Sequence, residues 1–296
     1  MKPNPFAYLA PRDLAHALDL LAEHGDAAKV LAGGQSLGPL MNLRLATPEV
    51  LVDINGVAEL SAVDVDDDGC LRIGAIARQR WVERDDDVLG GWPVISEALE
   101  WVAHPTIRNR GTFGGTLAHA DPASEMPAVA VALRAHMVLR RASGERVVPA
   151  ENFFVSHFTT VCEPDELLVE ARFPAPAVRR GHSWMEYAPR HGDFAIVGVA
   201  AAVTLAEDMS VESSRIVVSG VGDAPRLLSE PVTEPLRGQT LASATDPALV
   251  EFAATAAESL HPGSDSLGSA AYRKKLFRHL VCGATVRAAA RAKEMS

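Results

Sequence analysis

Apolar spacing along the chain sets the first expectations. In "DLAHALDLLAEHG", Leu14, Ala17, Leu18 and Leu21 recur at helical spacing, with Asp13 in the first turn and Gly25 as a C-terminal cap. Two short apolar runs follow, "AKVLAGG" and "EVLVDI" (49–54), and both read as strands. "LSAVDV" and "CLRIGAI" flank Asp66, Asp67, Asp68 and Gly69, where Asp-Gly supplies a hairpin turn. No bidentate glutamate follows at loop spacing, so the three aspartates read as a solvated turn rather than a calcium loop. Residues 93–103 and 125–135 read as helices, "HMVLRR" and "ERVVPA" as a second hairpin, and "DELLVEARFP" as a strand stopped by Pro174.

Residues 174–181, "PAPAVRRG", form the best linker by composition. Beyond it, "HSWMEYAPR", "IVGVAAAVTL" and "SRIVVSGVG" read as strands, and 247–260 and 269–293 as helices. Strands followed by helices point to a small α+β unit. The last helix is basic, but Leu276, Leu280 and Ala284 share one face, so it reads first as an amphipathic helix on a core and second as an electrostatic partner surface.

Composition narrows the function. The chain has 296 residues, 48% hydrophobic and 22% charged, enough for two domains with sizeable cores. Its net charge of −10 argues against nucleic-acid binding, which favours a basic face. No long apolar run or N-terminal signal pattern occurs, so a cytoplasmic protein is expected. Cys70, Cys162 and Cys282 are the only cysteines, too few for an iron–sulfur cluster or a disulfide framework. The histidines are scattered, and His104 and His119 read as structural residues.

Two glycine-rich turns carry the candidate chemistry. The first spans Leu31, Ala32, Gly33, Gly34, Gln35, Ser36 and Leu37; the second, "RGTFGGTLAHA", holds Gly111, Thr112, Gly114, Gly115 and Thr116. Paired glycines leave backbone N–H groups open to an anion, and Ser36, Thr112 and Thr116 add hydroxyl donors. Neither turn carries the lysine of a phosphoryl-transfer loop, so a pyrophosphate that stays intact is the better occupant. "GVGDAP" (220–225) begins like a Rossmann fingerprint, but it lacks the third glycine and reads as a turn. On the residues alone two readings stay open: a dinucleotide held at its pyrophosphate, and two ordinary tight turns.

The segments "VLAGGQSL", "TIRNRGTFGGTLAHADPASEMPAV" and "EYAPRHGDFAIVGVAAAV", with the closing "YRKKLFRHLVCGATVRAA", resemble the FAD-binding medium subunit of molybdenum hydroxylases. That family includes aerobic carbon monoxide dehydrogenase and the xanthine dehydrogenase group. The resemblance implies an α+β fold. Two N-terminal α/β FAD-binding subdomains of the vanillyl-alcohol-oxidase type (PCMH-like), about 1–56 and 57–177, precede a C-terminal α+β domain, 178–296, with a small antiparallel sheet and helices. It implies one non-covalent FAD per chain, held by residues 31–37 and by Gly111, Thr112, Gly114, Gly115 and Thr116. Thr106 and Ile107 open the second motif, and Val102 matches an apolar contact near the flavin. Glu125 falls on an acidic position on the sugar or adenine side, Leu168 on an adenine contact, and Tyr187 near the exposed flavin edge. Asp121 is counted among the cofactor-binding residues beside the second turn, where it also ties the loop down. No residue of the chain is expected to be catalytic by itself or to bind metal. Two rivals stand beside this reading: a free-standing flavin oxidase or dehydrogenase using Tyr187, Arg190, His191 and Asp193, and a non-catalytic nucleotide-binding scaffold.

The sequence departs from the family pattern at Phe113 and Thr116, where an aliphatic residue and asparagine are usual. Glu186 stands where xanthine dehydrogenases often carry lysine, which places the chain nearer the carbon monoxide dehydrogenase branch. The implied partners are a small subunit with two iron–sulfur clusters, a large molybdopterin subunit, and an external electron acceptor. The implied assembly is a dimer of heterotrimers, cytoplasmic or held at the inner face of the membrane through its partners.

Overall fold

The computed structural model describes residues 2–295; the outermost positions of the expected domain bounds, 1 and 296, lie outside it. The first sheet is parallel, with β1 (Ala7–Leu9), β3 (Val50–Asp53) and β2 (Ala28–Leu31) side by side in that order. Helix α1 (Leu14–His24) connects β1 to β2. Asp13 caps it by accepting from the His16 N–H, and it buries the predicted Leu14, Ala17, Leu18 and Leu21. Helix α2 (Leu37–Asn42) follows β2 directly.

The second sheet is antiparallel, in the order β4 (Val63–Val65), β5 (Leu71–Gly74), β10 (Leu167–Phe173), β6 (His136–Arg141), β7 (Gly144–Pro149). Both predicted hairpins are present, and a small hairpin of β8 (Phe154–Ser156) and β9 (Thr159–Thr160) lies between β7 and β10. Strand β10 separates two cores. Leu167 and Val169 join α1 in one, while Leu168, Ala171 and Phe173 join the helices on the other side. Those helices are α3 (Pro93–Leu99), α4 (Phe113–His119) and α5 (Glu125–Ala132). Helix α3 stops four residues short of the predicted end. Beyond it the Val102 and Ala103 carbonyls turn to accept from the Arg108 guanidinium, and Ala103 adopts φ +46°.

The third sheet, β11 (Arg180–Tyr187), β12 (Val197–Leu205), β13 (Val211–Ser219) and β14 (Arg226–Leu227), is antiparallel in sequence order. Alternation gives it two separate jobs. Met185, Val199, Ala201, Val203, Ile216 and Val218 face helices α6 (Pro247–Glu258) and α7 (Ala270–Glu294). The opposite face meets the first domain, and register arranges it in rows: Glu186, Gly198 and Ser219; then Trp184, Ala200 and Val217; then His182, Ala202 and Arg215; then Arg180, Thr204 and Ser213. The second row belongs to the same apolar core as α3 and α5. The proline-rich segment therefore joins two units that share a core rather than separating independent ones.

Much of the basic character of α7 is used inside the molecule. Arg287 and Arg291 pair with Glu97 of α3 at 2.6 Å, and Arg291 also donates to the His182 carbonyl. Arg273 binds the carbonyls of Ile196 and Gly220 and pairs with Asp265. This supports the first reading of the helix, a packed amphipathic element.

Candidate functional site

The two glycine turns meet. A Cβ on Gly33 would stand 2.5 Å from the Arg110 carbonyl oxygen and 2.8 Å from the Gly111 Cα, so only glycine permits this approach. The Ala32 Cβ in turn lies 3.9 Å from a Cβ position on Gly115. Thus Leu31 to Leu37, bridging β2 and α2, sit against Gly111 to Thr116, which open α4.

The turns differ in what they offer, which corrects the expectation of two equivalent nests. In the first, the backbone N–H groups of Gly33, Gly34, Gln35 and Ser36 donate to no protein acceptor among the described residues, and Gly34 adopts φ +69°. In the second, the N–H of Gly111 bonds Ile107, that of Phe113 bonds Ala77 and that of Gly114 bonds Ala75. Thr112 is the N-cap of α4, its Oγ1 accepting from the Gly115 N–H at 3.1 Å, and the Thr116 N–H bonds the Thr112 carbonyl. A short helix starting at Thr112 consumes the donors that the sequence motif leaves free. What remains there is the two threonine hydroxyls and a close, side-chain-free approach at Gly115. Gly114 serves packing, since its Cβ would lie 2.6 Å from Ala75.

Sequence reasoning missed the tether that holds the turns together. The Asn55 side chain donates to the Ala32 carbonyl (2.7 Å) and to Asp53, and accepts from Arg78 (2.7 Å). Arg78 also donates to the Arg110 carbonyl (2.6 Å), and the Tyr8 hydroxyl donates to Asp53. Burial works against the charge of Asp53, but bonds from Tyr8 and Asn55 and the Arg78 charge outweigh it and hold its carboxyl below the usual range. Neither Asn55 nor Arg78 lies in a recognisable motif; only the packing of the β3 end (Val52, Ile54) against the second sheet brings them together.

The other predicted residues extend from these turns along the seam. Thr106 is exposed and Ile107 half-buried in the short helical turn 105–108, whose buried Arg108 pairs with Glu83 at 2.8 Å. Val102 is half-buried where Trp101 packs on His191, ring centroids 4.8 Å apart. Asp121 accepts from the Ala123 N–H, fixing the turn before α5. Burial lowers the His119 pKa, against the pull of Asp121. Glu125, first in α5, is 5% exposed. Burial first, then the Glu186 charge, pushes its carboxyl up to about 8. Burial also pushes Glu186 up to about 7, although one of its oxygens accepts from the Trp184 ring N–H at 2.8 Å. The other Glu186 oxygen and the Ser219 hydroxyl are buried without a partner among the described residues, a second feature that the sequence did not signal. Tyr187 is 44% exposed at the end of β11, edge-on to Tyr272. Leu168 is enclosed in the first core and stands apart from the turns in that respect.

Free donors in the first turn, hydroxyls in the second and an approach that tolerates no Cβ fit the pyrophosphate of a dinucleotide. The buried carboxyls at the seam offer acceptors for its hydroxyl or amine donors.

Comparison with known proteins agrees. Residues 4–176 match the model described as FAD binding domain in molybdopterin dehydrogenase, and residues 182–288 match the CO dehydrogenase flavoprotein C-terminal domain. The chain is 41% identical over 281 residues to the 6-hydroxypseudooxynicotine dehydrogenase complex subunit alpha of Paenarthrobacter nicotinovorans, covering 95% of this chain and 93% of the other. It is 44% identical to caffeine dehydrogenase subunit beta of a Pseudomonas species over 76% of each chain. A solved chain of carbon monoxide dehydrogenase from Hydrogenophaga pseudoflava superposes with a TM-score of 0.92 at 34% identity, over 99% of both chains. Among the described residues no helix is long and apolar enough to cross a membrane. The fold, both family models and relatives aligned nearly end to end converge on one conclusion: this chain is an oxidoreductase subunit that belongs to the family of FAD-binding medium subunits of molybdenum hydroxylases.

Proposed function

We propose that the chain carries one non-covalent FAD and relays electrons from the iron–sulfur clusters of a small partner subunit to an external acceptor. A large molybdopterin subunit oxidises the substrate, and the working unit is a dimer of heterotrimers. The observation that carries this reading is the apposition of the two turns at Gly33 and Gly111, with the 33–36 N–H groups left free beside it. Those groups hold phosphate oxygens. Neither turn contains lysine, so the pyrophosphate is bound and not activated for cleavage. The Asn55–Arg78 tether keeps the cradle closed, and Val102, Glu125 and Tyr187 border the path from it along the seam. The flavin, when bound, supplies the redox chemistry, while the chain supplies binding, orientation and access. Three scattered cysteines agree with clusters held on another chain.

Purification from native cells tests this. The expected result is a yellow chain that travels with an iron–sulfur subunit and a molybdenum subunit, releases its flavin on acid precipitation, and contains one flavin per chain. A chain that elutes alone and colourless, and that cannot be reconstituted with FAD, would overturn it.

A further inference from the structure

The seam between the two domains has a buried acidic end at Glu186 and an open basic end at the other extreme of the same sheet face. At the basic end, register sets Arg180, Thr204 and Ser213 in one cross-strand row, with Arg215 two positions along β13 on the same face. Arg134, just beyond α5, closes the space from the first domain. The result is a cavity of about 60 Å³ lined by these arginines and by Thr204, Ser213 and Ser214, with no carboxylate in its wall.

Two of the arginines are already positioned. Arg180 donates to Thr204 Oγ1 (3.1 Å), and Arg215 donates to the Val131 carbonyl (2.9 Å) and pairs with Glu151. The Arg134 guanidinium has no hydrogen-bond or ion-pair partner among the described residues. Its backbone is held at φ +58°, a conformation that disfavours side chains and is relieved by glycine. Beneath the arginines His182 is pushed down to about 4 by burial and by the neighbouring Arg180 and Arg291, as expected where positive charge is concentrated.

A larger cavity of about 330 Å³ continues from the first and shares Arg134, Ser213, Ser214 and Arg215 with it. Its far wall changes character: Ser229 and Thr233 hydroxyls, the Glu230 and Glu234 carboxylates, and the apolar Leu227 and Leu228. Arg237 on this wall pairs with Glu234 at 3.5 Å and leaves Glu230 to accept from a ligand. Small-molecule sites begin at about this size.

The geometry points to a second ligand site, separate from the dinucleotide cradle, that takes a phosphorylated small molecule of sugar-phosphate size. The phosphate occupies the three-arginine end, where planar guanidinium groups match its oxygens. The hydroxyl-bearing body lies in the larger cavity, donating to Glu230 and stacking its apolar face on Leu227 and Leu228. The site rests on both domains, so occupancy braces the seam.

Calorimetric titration of the FAD-loaded full-length chain tests this, with inorganic phosphate, glucose 6-phosphate and glucose as probes. The sugar phosphate binds most tightly, phosphate more weakly and glucose not at all, and added salt weakens both anions. Arg134→Gly separates binding from folding. It relieves the positive φ, so the unliganded melting temperature holds or rises, while sugar-phosphate affinity falls about tenfold or more. Absence of sugar-phosphate binding at about 10 mM, a very weak affinity, or equal affinity in Arg134→Gly, overturns the site. Equal affinity for phosphate and glucose 6-phosphate overturns the assignment of the larger cavity.

Discussion

Glu125→Gln tests the electrostatics of the seam. The Glu125 carboxyl is 5% exposed and pushed up to about 8, by burial first and by Glu186 next; Asp121 pushes the same way and Arg108, itself paired to Glu83, opposes them. In the unfolded chain a glutamate titrates near 4.3. The folded state therefore holds a proton that the unfolded state has released, and stability falls as pH rises from about 4.5 to about 8. Within that window one such group costs roughly 1.4 kcal/mol per pH unit, so about 2 kcal/mol is lost between pH 6 and pH 8. Glutamine keeps the shape and cannot ionise. Below about pH 4.3 the variant and the parent should melt close together. The variant should be the more stable by about 1 kcal/mol at pH 5, about 2 kcal/mol at pH 6 and about 4.5 kcal/mol at pH 8, the last roughly 9 °C for a chain of this size. Glu186 has the same sign, so the parent's remaining slope should shrink again in the double variant with Glu186→Gln. Thermal unfolding of the flavin-free chain from pH 5 to 8.5 reads this directly. Parallel pH curves for parent and Glu125→Gln would refute the claim that Glu125 is held protonated.

The remaining predictions concern the turns and the seam. Gly33→Ala places a Cβ against backbone at Arg110 and Gly111, which cannot rotate away; it should cost about 1–3 kcal/mol by overpacking and abolish flavin retention, read by the bound-flavin spectrum. It is a cleaner probe than Gly115→Val, whose side chain would also displace the Thr112 cap. Glu97→Ala leaves Arg291 and Arg287 without their carboxylate and the Trp184 N–H without its acceptor. Both arginines are partly solvated, so the loss should be about 2 kcal/mol, seen as a lower melting temperature, with faster proteolysis between the domains.

Much of the fold was legible because local patterns repeat. Helix α1 with its Asp13 cap, both hairpins and the long last helix follow from spacing and turn residues alone. The end of α3 was not, because a side chain from the next turn, Arg108, decides it by recruiting the carbonyls of Val102 and Ala103. The two glycine turns could be picked out in the sequence, yet their division of labour could not. Whether an N–H is free depends on what lies opposite it, and Ala75, Ala77 and the Thr112 hydroxyl lie opposite those of the second turn.

The sequence by itself determined much of the secondary structure, the motif order that marks the family, and an acidic chain with too few thiolates for a cluster. Those properties depend on near neighbours and on counts. Tertiary structure decided what requires distant residues to meet: the Asn55–Arg78 tether across two sheets, the apposition of Gly33 with Gly111, and the division of one sheet face into an acidic buried end and a basic open end. Side-chain alternation is written in each strand, but which rows are buried depends on where the other domain ends. Burial then sets which carboxyls keep their protons and which arginines stay free.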